Sequence, residues 1–169
     1  KGVRIGAAHF PPHSHRPERG VDSGRLQQLA DALNQVQADF RFLLVPTSIP
    51  RRFQDLQSAR TDLAIFENPA WGWQGIDYQA VDMGLEDAEV FVAQRQPARD
   101  QRYFDQLRGK RLALFNGYHY AFAGFNADGR YLRQQFDASL TYSHESNLFM
   151  VERGRADIAL VTRSCLSDF

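Results

Sequence analysis

LRGKRLALFNGYHY, residues 107–120, holds the clearest strand-to-loop transition in the chain. A basic turn, Arg108-Gly109-Lys110, leads into four apolar residues, Leu112 to Phe115. Asn116-Gly117 then breaks the run before the aromatic cluster Tyr118-His119-Tyr120. A short apolar run closed by Asn-Gly reads as a buried strand ending in a turn, and the residues after the turn can start a helix. In an open α/β sheet, ligands bind where loops leave the carboxyl ends of strands, often beside a helix N-terminus whose N–H groups attract polar or anionic groups. By themselves these residues also fit an ordinary strand with an ordinary turn. A second stretch of the same kind, VRIGAAHFPP at residues 3–12, gives the functional reading its weight.

The remaining chain alternates in the same way. Residues 3–8 form a strand candidate closed by Pro11-Pro12, which cannot continue a central ladder. Asp22 or Ser23 can cap a helix that carries Leu26, Leu29, Leu33 and Val36 on one face. Residues 40–45 give the next strand. Ser48 caps a second helix with Pro50 in its first turn and Ile49, Phe53 and Leu56 facing inward. Residues 63–66 give a third strand, followed by the loop ENPAWGW. This β-α-β-α-β order implies parallel pairing with right-handed crossovers. Farther on, residues 88–93 and 112–115 read as strands, residues 131–136 as part of a helix, and residues 140–143 and 158–161 as two more strands. Between these last two lies a helix bearing Leu148, Phe149 and Val151. It starts after Ser143 or His144, and Gly154 ends it in the left-handed conformation.

A chain of 169 residues can bury one good core or two small ones. Its 20 Lys and Arg balance 20 Asp and Glu, which argues against a nucleic-acid surface. No apolar run approaches a membrane span, and residues 1–30 show no signal peptide, so an exported protein would stand here in mature or trimmed form. The single cysteine, Cys165, excludes an internal disulfide and CxxC motifs, and suits a small buried residue at a strand end. No GxSxG, HExxH or P-loop motif is present.

Six features in order, spread along nearly the whole chain, resemble the type 2 periplasmic solute-binding proteins, the bacterial family 3 that includes the polar amino-acid-binding proteins. They are VRIGAAHFPP; Gly20-Val21-Asp22-Ser23 before an amphipathic helix; Gln57-Ser58-Ala59-Arg60-Thr61-Asp62 before LAIF; the strand near Glu89 to Ala93; LRGKRLALFNGYHY; and Glu152-Arg153-Gly154-Arg155-Ala156-Asp157 before IALV. The resemblance implies an α/β, two-lobed fold, each lobe a mostly parallel sheet flanked by helices. Lobe 1 would span residues 1–88 and lobe 2 residues 89–169, with crossing strands near 88–93 and 162–169. It also implies a small-molecule ligand held in a cleft that closes, a periplasmic location, a monomer, no cofactor, and an ABC permease or a membrane signalling partner. Family members continue for a few dozen residues past the equivalent of Phe169. Lobe 1 is therefore expected to lack a C-terminal return segment and to leave a sheet edge open.

The candidate ligand residues sit in the strand-end loops. They are Phe10 and His13 after the first strand; Phe66, Glu67, Asn68 and Trp71 after the third; Asn116, Gly117, Tyr118, His119 and Tyr120 after the strand at 112–115; and Thr162 and Arg163 after the last. Phe10 falls where the family places an aromatic ring over the ligand, and such a face offers contact area and attracts cations. Trp71 and Trp73 occupy a loop containing Gly and Pro, an odd place for two indoles unless a ligand, or packing of the loop on its lobe, covers them. Family members grip an α-carboxylate with an Arg after the third strand and an α-ammonium with an Asp after the last. Here those places hold Trp73-Gln74 and Thr162. A ligand charge buried without a partner is costly, so a standard α-amino acid is not expected to be the main ligand, and Glu67 and Arg163 remain as possible charge partners. Two alternatives stay open. His9, His13 and His15, with His119, could bind zinc, copper or nickel, but without i, i+4 helical spacing, a thiolate or an Asp before Asp22 the residues favour solvated loop histidines. A periplasmic enzyme on the same fold, of the dehydratase or lytic-transglycosylase-associated kind, could use Glu67 as a general base. The expectation is a non-catalytic binding module.

Overall fold

Val3, Ile5 and Ala7 recur with a period of two in β1 (Gly2–Ala7), and Ile5 and Ala7 are fully buried. The computed structural model of the chain describes residues 1–10 and 24–167. In it β1 pairs in parallel with β2 (Arg41–Pro46), from Gly2 opposite Arg41 to Ala7 opposite Pro46. A parallel pair needs a crossover, and α1 (Arg25–Val36) lies between the two strands in the chain. Leu26 and Ala30 of α1 close over Ile5 and Ala7, with Phe42, Leu44, Leu63, Ile65 and Phe66 packed around them. Val36, placed on the same face by its spacing, is 78% exposed. It is the last residue of the helix, and the backbone is already extended at Gln37, so the apolar stripe ends before it.

Ser48 opens a turn rather than a helix. Its hydroxyl and carbonyl accept the N–H groups of Arg51 and Arg52, and α2 (Arg52–Gln57) starts from there. The residue α2 buries is Asp55; Ile49, Phe53 and Leu56 stay half-buried. Residues 63–66 do not complete a third strand. Leu63 makes a single parallel bridge to Ile5, with the Gly6 N–H donating to the Leu63 carbonyl at 3.0 Å. Phe66 then takes φ 60°, a left-handed turn that an extended strand cannot pass through.

The second sheet contains β3 (Glu89–Val92), β4 (Arg111–Phe115), β5 (Asp137–Thr141) and β6 (Ile158–Thr162), in the order β3-β6-β4-β5. β4 runs parallel to β5 and β6, whereas β3 is antiparallel to β6. Leu112 to Phe115 and Ile158 to Val161 are buried throughout, as an unbroken apolar run requires when both sheet faces are covered. The crossovers are α3 (Gly129–Gln135) and α4 (His144–Glu152). Asp128 and Ser143 cap them, accepting the N–H groups of Tyr131 and Ser146. Gly154, at φ 70°, follows α4. Of the apolar triplet on α4 only Val151 is buried; His144 and Asn147 take the inner positions, and Phe149 is 42% exposed. Thr141 explains part of this, donating its hydroxyl to Asn147 Oδ1 at 2.6 Å.

Two expectations are corrected here. No helix follows Asn116-Gly117 directly; a single 3-10 turn at Ala121–Ala123 precedes α3. Residues 163–166 do not cross back as a strand, because Thr162 caps a helical turn, α5 (Arg163–Leu166), by accepting the Cys165 N–H.

The chain divides into two compact units, Lys1–Val81 and Asp82–Phe169, whereas the sequence reading divides it after residue 88. Residues 87 and 88 are tied to the second unit. Asp87 accepts from the Ser164 hydroxyl at 2.6 Å, and the Ala88 carbonyl accepts the Arg163 N–H at 2.8 Å. Each unit carries the same clamp near the amino end of its first parallel strand. Asp62 accepts from the Arg4 N–H at 2.9 Å and from its Nε and Nη2 at 3.0 Å. Asp157 accepts from the Arg111 N–H at 2.7 Å and from its Nε and Nη2 at 3.3 and 3.0 Å. In both clamps the Asp N–H returns a bond to the Arg carbonyl at 2.8 Å. No helix among the described residues is long and apolar enough to cross a membrane.

Candidate functional site

The loops at the carboxyl ends of the parallel strands hold the candidate residues, and each unit presents its own set. In the first unit, the end of β1 and the loop after Leu63 bring Phe10 and Trp71 together, ring centroids 5.9 Å apart and nearly perpendicular. Edge-to-face packing of this kind is a favoured arrangement of two aromatic rings. Asn68 builds the turn that carries Trp71. Its side-chain oxygen accepts the Ala70 N–H at 2.9 Å, and its carbonyl accepts the Trp71 N–H at 2.9 Å. Phe66 packs partly against the Ile5 core.

Glu67 faces inward along its own loop. Arg52 Nε donates to Glu67 Oε1 at 2.5 Å, and the Trp73 indole N–H donates to Oε2 at 3.2 Å. Arg52 also donates to the Ile49 carbonyl at 2.5 Å and lies 4.1 Å above the Phe53 ring. Trp73 is 6% exposed and packs on Phe53 and Tyr78 at 4.7 and 5.5 Å. Of the two indoles in this loop, Trp73 thus anchors it and Trp71 partners Phe10. The anchoring rests on Arg52, which sequence reasoning did not link to the loop because it lies fifteen residues upstream on another element.

In the second unit, Asn116 continues the β4–β5 pairing, its N–H donating to the Thr141 carbonyl at 2.7 Å and its side-chain amide to the Tyr142 hydroxyl at 2.6 Å. Gly117 takes φ 86°, which favours glycine. His119 Nδ1 lies 2.8 Å from the Phe125 carbonyl; a carbonyl only accepts, so Nδ1 carries the proton. Tyr118 is 7% exposed, with its ring 4.5 Å from that of Tyr120. Burial, with the charges of Glu89 and Asp87 beside it, pushes the Tyr118 hydroxyl well above the ordinary phenol range and keeps it protonated. Tyr120 is 2% exposed and belongs to the core. Thr162 is buried as the cap of α5, while Arg163 is exposed.

Glu89 is the group the sequence reading missed. In the sequence it is only part of a crossing strand, yet its carboxylate accepts the N–H of Ala121, the residue that follows the aromatic cluster, at 3.0 Å. Burial raises its pKa, and the Ala121 bond opposes the rise. The signal available in the sequence was the acidic run Glu86-Asp87 with Glu89 at the strand entrance. His9 lies just ahead of Phe10 in its loop, whereas His13 and His15 fall outside the described residues. Among the described residues no group of three or more His, Cys, Asp and Glu side chains is placed to hold a metal ion.

No protein-family model and no curated protein matches this chain. Solved structures do. The ancestral amino acid-binding protein AncCDT-1, a precursor of cyclohexadienyl dehydratase, is 17% identical with a TM-score of 0.68; the match covers 98% of this chain and 73% of that one. The substrate-binding protein of an amino acid ABC transporter is 17% identical with a TM-score of 0.64, covering 99% and 73%. The VFT2 domain of Bordetella pertussis BvgS, in a double mutant, is 18% identical with a TM-score of 0.62, covering 96% and 66%. At these identities the likeness establishes the fold. The chain has the α/β architecture of the periplasmic-binding-protein-like solute-binding proteins, and it spans roughly two thirds to three quarters of their length.

Proposed function

We propose that this chain is an extracytoplasmic, periplasmic solute-binding module that takes a small molecule with its strand-end loops and returns it unchanged, serving an ABC-type uptake system or a membrane-bound sensor. The observation that carries the reading is the Phe10–Trp71 pair, two large rings held edge to face at the carboxyl end of a parallel strand. In an open α/β sheet that end is where ligands bind. The fold shared with solute-binding proteins and with a sensor domain supports the same class and favours neither role.

The solute is not a standard α-amino acid held in the usual way. Among the described residues, Arg52 reaches the loop at 67–73 and is already joined to Glu67, so neither of these side chains is available to the carboxylate or the ammonium group of a zwitterion. The rings favour a solute with an apolar or cationic face. Isothermal calorimetry of the chain with the standard amino acids and with a set of quaternary amines and neutral ring compounds tests this. Binding within the second set is expected, with the solute recovered intact, and Trp71→Ala weakens it roughly tenfold or more. Micromolar binding of a standard amino acid that Trp71→Ala leaves unchanged would sink the reading.

A further inference from the structure

The parallel ladder between β4 and β6 is two pairs long, Leu112 opposite Ile158 and Ala113 opposite Ala159. Its neighbours run farther: β4 pairs with β5 as far as Phe115 opposite Thr141, and β3 pairs with β6 up to Thr162. Carried one step on, the β4–β6 register would set Leu114 beside Leu160 and send the Phe115 N–H to the Leu160 carbonyl. Tyr120 stands in that place. The Phe115 N–H donates to the Tyr120 hydroxyl at 2.8 Å, and that hydroxyl donates to the Leu160 carbonyl at 3.4 Å. The ring is 2% exposed and lies beside those of Tyr118 and Phe122, at 4.5 and 5.6 Å.

β4 and β6 are also the strands at which the chain order reverses. β4 leads through α3 to β5 on one side, and β5 leads through α4 back past β4 to β6. In open α/β sheets the gap outside the carboxyl ends of such a strand pair receives the ligand. Here the gap holds a phenol that belongs to the chain, with one buried donor and one buried acceptor satisfied by its hydroxyl. A solute group entering the gap would have to displace the ring and then remake both bonds, or leave two buried backbone groups unpaired.

We infer that the switch-point crevice of the second unit is a phenol site whose resident occupant is Tyr120, and that Tyr120 sets specificity by closing this crevice to the solute. The second clause rests on the solute-binding reading; the first stands on the geometry. The test uses the full 169-residue chain with Tyr120→Ala and Tyr120→Phe, and phenol itself as the probe. At ~5 mM, phenol is expected to raise the Tm of Tyr120→Ala by roughly 3 °C or more, toluene by less for want of a hydroxyl, and neither to raise that of the unmodified chain. If Tyr120→Ala is unfolded alone, phenol is expected to restore its far-UV circular dichroism. Tyr120→Phe keeps the ring and loses both bonds, so its Phe115 amide exchanges with solvent about tenfold faster or more, while phenol leaves its Tm unchanged. Failure of phenol to stabilise or refold Tyr120→Ala overturns the inference, as does an equal effect on the unmodified chain. None of these readouts uses the natural solute, so a chain that binds nothing in the calorimetric set would refute the functional reading and leave the crevice result standing.

Discussion

Glu67 is a charge that the loop sequence offers to a ligand and that the fold gives to Arg52 and Trp73. Both partners of the ion pair are mostly shielded, with side-chain exposures of 12% for Arg52 and 19% for Glu67. Glu67→Gln is therefore expected to destabilise the first unit by about 1–3 kcal/mol, since Arg52 keeps its charge and loses its counter-ion. Urea unfolding followed by tryptophan emission measures this, and an unchanged midpoint would refute it. The clamps predict an acid dependence. The Arg4 side chain, with its N–H, lowers Asp62 from 3.8 to about 2, and the hydrogen bonds from the Arg111 side chain and N–H also hold Asp157 below its ordinary value. Folded values below unfolded ones give stability that is present above about pH 4 and lost as the pH falls toward 2. Glu89 works the other way. Its folded pKa is raised, so it subtracts stability once the pH rises past its unfolded value, and protonation relieves it. Melting curves from pH 2 to 7 should show a shallower acid limb for Asp62→Asn than for the parent chain. At pH 7, Glu89→Gln should be at least as stable as the parent.

Among the elements, those written in strong local signals are the ones that form. β4 and β6 are unbroken apolar runs, Asp128 and Ser143 cap the helices they precede, and Gly154 turns the chain after α4. Ser143→Ala should cost about 1 kcal/mol, and Gly154→Ala a similar amount because its φ is 70°. Chemical denaturation followed by circular dichroism gives both numbers. The elements that depart from expectation do so for reasons spread across the fold. The third strand of the first unit is reduced to one bridge at Leu63, and Phe66 then turns left-handed, a conformation invisible in an apolar run such as LAIF. Asp55 is buried on α2 because Thr47 and Arg60 bracket its carboxylate, and neither is its neighbour in a helical pattern. Tyr120 is withdrawn from the loop by the gap between β4 and β6, which appears only once strand register is known. The candidate site was legible to the same degree. The pairing of Phe10 with Trp71 fits two aromatic residues in strand-end loops, whereas the roles of Glu67 and Glu89 depend on partners at long sequence separation.

At the scale of the whole molecule, both tryptophans, Trp71 and Trp73, lie in the first unit. Their emission reports that unit alone, and far-UV circular dichroism reports both. Each unit has its own sheet and its own buried cluster, so the two signals are expected to diverge during thermal or urea unfolding. Coincident transitions would show that the units melt as one. The repeated Arg–Asp clamps carry a further implication. Arg4 with Asp62 and Arg111 with Asp157 fasten the sheets near the amino ends of their strands, while the loops that hold the candidate residues leave from the opposite ends. A lineage built on such a frame can rewrite what it recognises without disturbing the fasteners that set its strands in place. Chemical taste and architectural identity are thereby free to evolve at different speeds.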